Sequence, residues 1–180
     1  MFGHDSAEET FNASLNQLKH LIMVFRSMHP YTKYAVFWHM ALLHVANAAL
    51  HNTSDPRWRE YFMICVDSYA ELLGAFRVAA GIVKSLLAIA IRRSAISVVD
   101  ARTILNQVLT KRTHHANVND ITATFVVDLD LAVTQPFAAR LEALAGRFDE
   151  VTLFEDFITA SVSPEMPDGN TLVDGEGPAL

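Results

Sequence analysis

The sequence predicts an all-α protein, a single helical bundle of about six helices with one long extended connection and a disordered C-terminal tail. Three observations carry that expectation. Apolar residues recur at spacings of three and four along most of the chain. Short polar breaks bearing proline or capping residues separate the runs. Only one stretch, ITATFVVDLDLAV, is β-prone, and it has no second run to pair with. The chain has 180 residues, of which 51% are hydrophobic, enough for one domain with a sizeable core. That domain is expected over residues 1–160, with 161–180 as the tail.

The first helix is expected to start after Ser6, which with Glu9 makes an S-x-x-E capping box. Phe11, Leu15, Leu18, Ile22 and Phe25 then share one stripe. His29-Pro30 ends the helix, because proline disfavours a helical conformation in the residue before it. A second helix, Thr32 to His51, is apolar nearly all round, which places it at the centre of the bundle. Asp55 then reads as an N-cap with Pro56 at the first helical position. The third helix carries Trp58, Tyr61, Phe62, Cys65 and Tyr69 and ends or bends near Gly74.

The fourth helix, Phe76 to Arg93, lays Ile82, Leu86, Leu87 and Ile91 on a buried side. Its Arg92-Arg93 end suits the negative pole of the helix dipole. The isolated Gly81 within it marks a close helix contact. Ser97 with Asp100 opens a fifth helix, Val98 to Lys111, with Ile104, Leu105, Val108 and Leu109 on its apolar side. The connection from Thr113 to Gln135 reads as an extended segment lying on the bundle. Pro136 begins a sixth helix carrying Phe137, Leu141, Leu144 and Phe148, and Glu155 to Ala160 adds a short amphipathic turn. From Ser161 onward prolines and glycines dominate and little is left to bury.

Composition narrows the function classes. The formal net charge is −6, and the close basic groupings, Arg92-Arg93 and Lys111-Arg112, are too small for a nucleic-acid stripe. No direct nucleic-acid contact by this chain is expected. The single cysteine, Cys65, excludes an internal disulfide framework and reads as an inert core thiol in an intracellular setting. The most apolar run, Ala35–Leu50, is broken by His39, His44 and Asn47, so no membrane span is expected. No G-x-S-x-G elbow or H-E-x-x-H spacing occurs.

Histidine is the one reactive type present in quantity. On an ideal helix His39, His44, Asn47 and His51 fall within about 140° of one another, and the last three within about 60°. They form either the polar edge of a buried helix, each ring hydrogen-bonded to a neighbour, or a small polar pocket; the first reading is preferred. A half metal site and a general base at His39 or His44 are the weaker alternatives. The stretch FDEVTLFEDF alternates acids with bulky apolar groups, so Leu153, Phe154 and Phe157 either pack on their own domain, the preferred reading, or bind a partner. No catalytic, metal-ligating or DNA-binding residue is assigned, and no cofactor is expected. A small apolar ligand among Trp38, Phe62, Tyr69 and the histidine-bearing face is the alternative binding role.

Ala46-Asn47-Ala48, Ser54-Asp55-Pro56 with Trp58-Arg59 and Tyr61, Gly81-Ile82-Val83, Ala90-Ile91-Arg92 and Ala95-Ile96-Ser97 follow one another in an order that resembles the regulatory domain of fungal binuclear zinc-cluster transcription factors, in its C-terminal part. Val127-Asp128-Leu129-Asp130-Leu131-Ala132 is similar to what closes those proteins. The likeness spans Phe25 to Phe157. It implies an all-α regulatory domain in the nucleus that contacts protein partners or a small effector while another segment binds DNA. The family's cysteine cluster is absent here, so no DNA-binding residue is carried over. Much of the upstream helical region is absent too, and mean hydropathy is positive at +0.21, so self-association or docking on a longer regulator is expected.

Overall fold

Around α4 (Val78–Arg92) the other helices are arranged. The computed structural model describes residues 4–28, 38–73, 76, 78–110 and 125–162, with side chains described from 6 to 27 in the first helix and up to 156 in the last. The fold is all-α. Seven helices are described: α1 (His4–Met28), α2 (Trp38–His51), α3 (Trp58–Leu72), α4, α5 (Val98–Thr110), the single turn α6 (Leu131–Thr134) and α7 (Leu141–Val162). The expected disordered tail lies outside the described residues from 163 onward, as do residues 32–37, Gly74 and Phe157's side chain.

α4 rather than α2 holds the centre. Ala79 through Ala90 are all buried save Lys84, and α4 packs on α2, α3, α5 and α7. In α2 the buried side runs from Leu42 to Leu50, while Met40, His44 and His51 face solvent. Two devices let the helices approach α4 closely. Gly81 leaves room for Leu141, whose Cδ2 would sit 3.0 Å from a Cβ at that position. Ser85, next along the same face, is wholly buried and its hydroxyl donates to the Gly81 carbonyl at 2.8 Å, with the Leu141 carbonyl also in reach at 3.1 Å. The expected close contact at Gly81 is therefore between α4 and α7.

α4 ends in a Schellman turn. The Ser94 N–H donates to the Ile91 carbonyl at 2.8 Å and the Ala95 N–H to the Ala90 carbonyl at 2.9 Å. Ser94 takes the left-handed φ of 55° that glycine usually supplies there. Three residues later the Ser97 hydroxyl accepts from the Asp100 N–H at 3.0 Å and caps α5, as its sequence predicts.

Other local expectations are corrected by tertiary contacts. α1 begins at His4, so Ser6 lies inside the helix instead of capping it, and its backbone carbonyl accepts from the Thr10 hydroxyl at 2.7 Å. Of the predicted α1 stripe Ile22 is buried, Leu15 and Leu18 pack on the core, and Phe11 is 62% exposed. Asp55 makes a turn ahead of α3, accepting from the Arg57 N–H at 2.9 Å, and α3 starts at Trp58 rather than Pro56. Pro136 to Ala139 form turns, α7 begins only at Leu141, and Phe137 is 73% exposed beneath the Arg140 guanidinium. α7 then runs unbroken to Val162, so no separate turn forms at Glu155–Ala160. Lys84 grips Asp149 at 2.8 Å and Arg102 pairs with Asp156, which tie α7 to α4 and α5.

Residues Phe125 to Asp130 form a strap across the bundle. Its first part is extended, as expected: Val126 bridges antiparallel to Arg140, and the Leu141 N–H donates to the Phe125 carbonyl at 3.0 Å. Its end is not. The Asp128 carboxylate accepts from the Leu131 N–H at 2.8 Å and starts the α6 turn. No strand beyond that isolated bridge occurs among the described residues.

Candidate functional site

The strap is fastened to α2 and α4 by side chains. Asn47, 4% exposed, donates through Nδ2 to the Leu43 and Val127 carbonyls, both at 2.9 Å, and its Oδ1 accepts from the Leu129 N–H at 3.2 Å. Both amide hydrogens and the carbonyl are thus committed. Arg92 pairs with the fully buried Asp128 and Arg93 with Asp130, while Arg93 also donates to the Leu50 carbonyl at 3.2 Å. The basic pair that closes α4 is spent on these two aspartates. Burial opposes ionisation of Asp130, yet its hydrogen bonds from Arg93 and His51 win and hold the carboxyl below its ordinary value.

Among the described residues, two clefts flank α2, with Leu129 of the strap in the wall of both. The first, of about 730 Å³, opens between α1 and the C-terminal half of α2. Phe11, Asn12, Leu15, Asn16 and Lys19 of α1 face His44, Asn47, Ala48 and His51 of α2 across it. The second, of about 570 Å³, is almost wholly apolar. Among the described residues its walls come from Leu43, Leu72, Phe76, Ala79, Ile82 and Phe125, with His39 and Tyr69 as its polar members.

His39 and Tyr69 define each other's protonation. The Tyr69 hydroxyl donates to the His39 carbonyl at 3.0 Å, which uses its one proton. Tyr69 Oη also lies 2.8 Å from His39 Nδ1, so the neutral imidazole carries its proton on Nδ1 and leaves Nε2 as an acceptor. Burial lowers the His39 pKa below 6.5 and pushes the Tyr69 phenol up, so both stay uncharged at neutral pH. Phe125 meets the imidazole edge-on, 5.2 Å between centroids.

The four polar residues of α2 are therefore divided. His44, Asn47 and His51 line the first cleft, and His39 turns into the second. His39 fits the expectation of a ring bonded to a neighbour, as does His51, whose Nδ1 lies 3.1 Å from Asp130 Oδ2. Asn47 does not line a pocket for its own chemistry; its amide is consumed by the strap. The alternative ligand site is corrected in membership: Tyr69 lines the apolar cleft, Phe62 is buried in the core, and Trp38 packs on Phe25 at 4.4 Å. Leu153 and Phe154 are 68% and 65% exposed, which removes the packing reading for both. Cys65 is fully buried and its thiol is pushed up to about 12 by desolvation, so it stays protonated.

Sequence reasoning missed Tyr69 as the partner of His39, and Asp128 and Asp130 as partners of Arg92 and Arg93. Strand alternation could not have found the aspartates, because the chain turns at Leu129 and Asp130 into α6. Among the described residues no group of three His, Cys, Asp or Glu side chains is arranged to hold a metal ion. No helix among them is long and apolar enough to cross a membrane. Comparisons with family models, curated proteins and solved structures find no match to this chain.

Proposed function

We propose that this chain is a helical regulatory module that binds a small apolar effector and acts on transcription through effector or protein-partner contact, without binding DNA itself. The observation that carries the binding role is the apolar cleft of about 570 Å³ beside α2, within the size range of small-molecule sites. Its chemistry asks for a mostly hydrocarbon ligand with one hydrogen-bonding group for the His39–Tyr69 wall. The transcriptional role, the nuclear location and the non-catalytic character rest on the resemblance to fungal transcription-factor regulatory domains. The exposed Leu153 and Phe154, set among the acids Glu150, Glu155 and Asp156, supply a surface for a protein partner.

The test fuses the chain to a foreign DNA-binding domain beside a reporter gene. The reporter is expected to respond, and Leu153→Ala with Phe154→Ala to weaken the response at unchanged protein level. A reporter indifferent to the fusion under all conditions sinks the transcriptional role. The cleft itself favours a second reading, a binding module with no transcriptional part. It predicts ligand-induced rises in melting temperature that Val78→Trp, which fills the cleft, abolishes, alongside a silent reporter.

A further inference from the structure

We infer that the first cleft, between α1 and α2, is a separate binding site for an uncharged planar heterocycle of the nucleobase and nucleoside class. This does not depend on the transcriptional reading or on the apolar cleft. Two helical stripes face each other there: Phe11, Asn12, Leu15, Asn16 and Lys19 at helical spacing on α1, and His44, Asn47, Ala48 and His51 on α2. At about 730 Å³ the space accepts a nucleoside. Among the described residues, the side chains of Asn12, Asn16 and His44 make no hydrogen bond to the chain, whereas the other polar side chains around them are engaged. Asn47 is committed to the strap, and Asn52 Oδ1 accepts from the Ser54 hydroxyl at 2.6 Å. A primary amide sets a donor beside an acceptor, the pattern that matches the edge of a base. The exposed Phe11 ring supplies a flat apolar face for stacking.

Charge selects against an ion. Lys19 is held by Asp55 at 3.2 Å and lies over the Tyr61 ring. Asp130 is taken by Arg93 and His51. Every full charge bordering the cleft already has its opposite, so a phosphate gains no free cation and meets two carboxylates.

The test titrates the full chain calorimetrically with adenosine, guanosine, cytidine and uridine, with the matching 5′-monophosphates and glucose in parallel. At least one nucleoside is expected to saturate at one site, and its monophosphate to bind no more tightly. Phe11→Ala is expected to weaken it by about tenfold, the worth of one stacked base, and Asn12→Ala with Asn16→Ala to weaken it further. These three side chains are exposed, so an unchanged melting temperature confirms that the variants fold. Val78→Trp, in the other cleft, is expected to leave nucleoside affinity unchanged, which keeps this result distinct from the apolar site. The inference is overturned if no nucleoside saturates below about 10 mM. It is equally overturned if Phe11→Ala has no effect, if the monophosphates bind more tightly, or if glucose binds instead.

Discussion

The amide of Asn47 holds Leu129 as a neighbouring strand would, accepting its N–H at 3.2 Å while donating to the Val127 carbonyl two residues earlier at 2.9 Å. One side chain on a helix thus satisfies the backbone of a strap that has no sheet to join. Removing it strands a buried carbonyl and an N–H, each worth about 1–3 kcal/mol when left unmade. Asn47→Leu is expected to lower unfolding free energy by about 2–4 kcal/mol and to speed amide exchange at Leu129 first. Asn47→Asp should be worse than Leu, since a carboxylate then faces the Leu43 and Val127 carbonyls. Urea denaturation and hydrogen exchange check both, and a stability equal to the parent removes the strap argument.

Gly81 meets Leu141 where α4 and α7 cross. An added Cβ approaches only the tip of that flexible leucine, so Gly81→Ala sets a helix-propensity gain of about 1 kcal/mol against a slight shift. The outcome should lie within about 1 kcal/mol of the parent. Gly81→Leu has no such outlet and should cost at least about 2 kcal/mol by overpacking. Leu141→Ala in the same chain should recover part of the loss. Additivity of the two changes in a double-mutant cycle contradicts the contact.

Ser94 carries a side chain through a left-handed backbone conformation at the end of α4. Glycine escapes that strain, so Ser94→Gly is expected to stabilise the chain by about 1 kcal/mol. Ser94→Val should destabilise it by a similar amount or more. The residue is solvent-exposed, which makes melting temperature a clean readout.

Burial of His39 predicts the direction of one pH effect. Its folded-state pKa lies below 6.5, so in the window beneath 6.5 the unfolded chain binds more protons than the folded one. Its contribution is fully present above that value and is lost as pH falls toward the folded-state pKa. Asp55 and Asp130, both lowered, act later, losing their contribution as pH falls below about 3.8. Urea midpoints at pH 7.5 and 5.5 should therefore diverge in the parent, and less so in His39→Gln. Identical pH profiles in the two proteins count against this assignment.

What the sequence by itself determined was local. The helical class and the Ser97 cap follow from periodicity and from bonds spanning a few residues, and the isolated Gly81 marked a close helix contact without naming Leu141. Tertiary structure alone decided which side chains meet. The division of His39 from His44, Asn47 and His51 depends on Tyr69, on a helix 30 residues away. The capture of Val127 by Asn47 spans 80 residues, and that of Asp130 by Arg93 spans 37. Phe11 faced outward although its period matched the stripe, because α1 lies on the bundle along one face and, among its described side chains, only Ile22 reaches full burial. Periodicity reports that a residue has an apolar side. It carries no information about what arrives to cover that side, and at α1, at Phe137 and at Leu153 to Phe154 that arrival is what separates core from site.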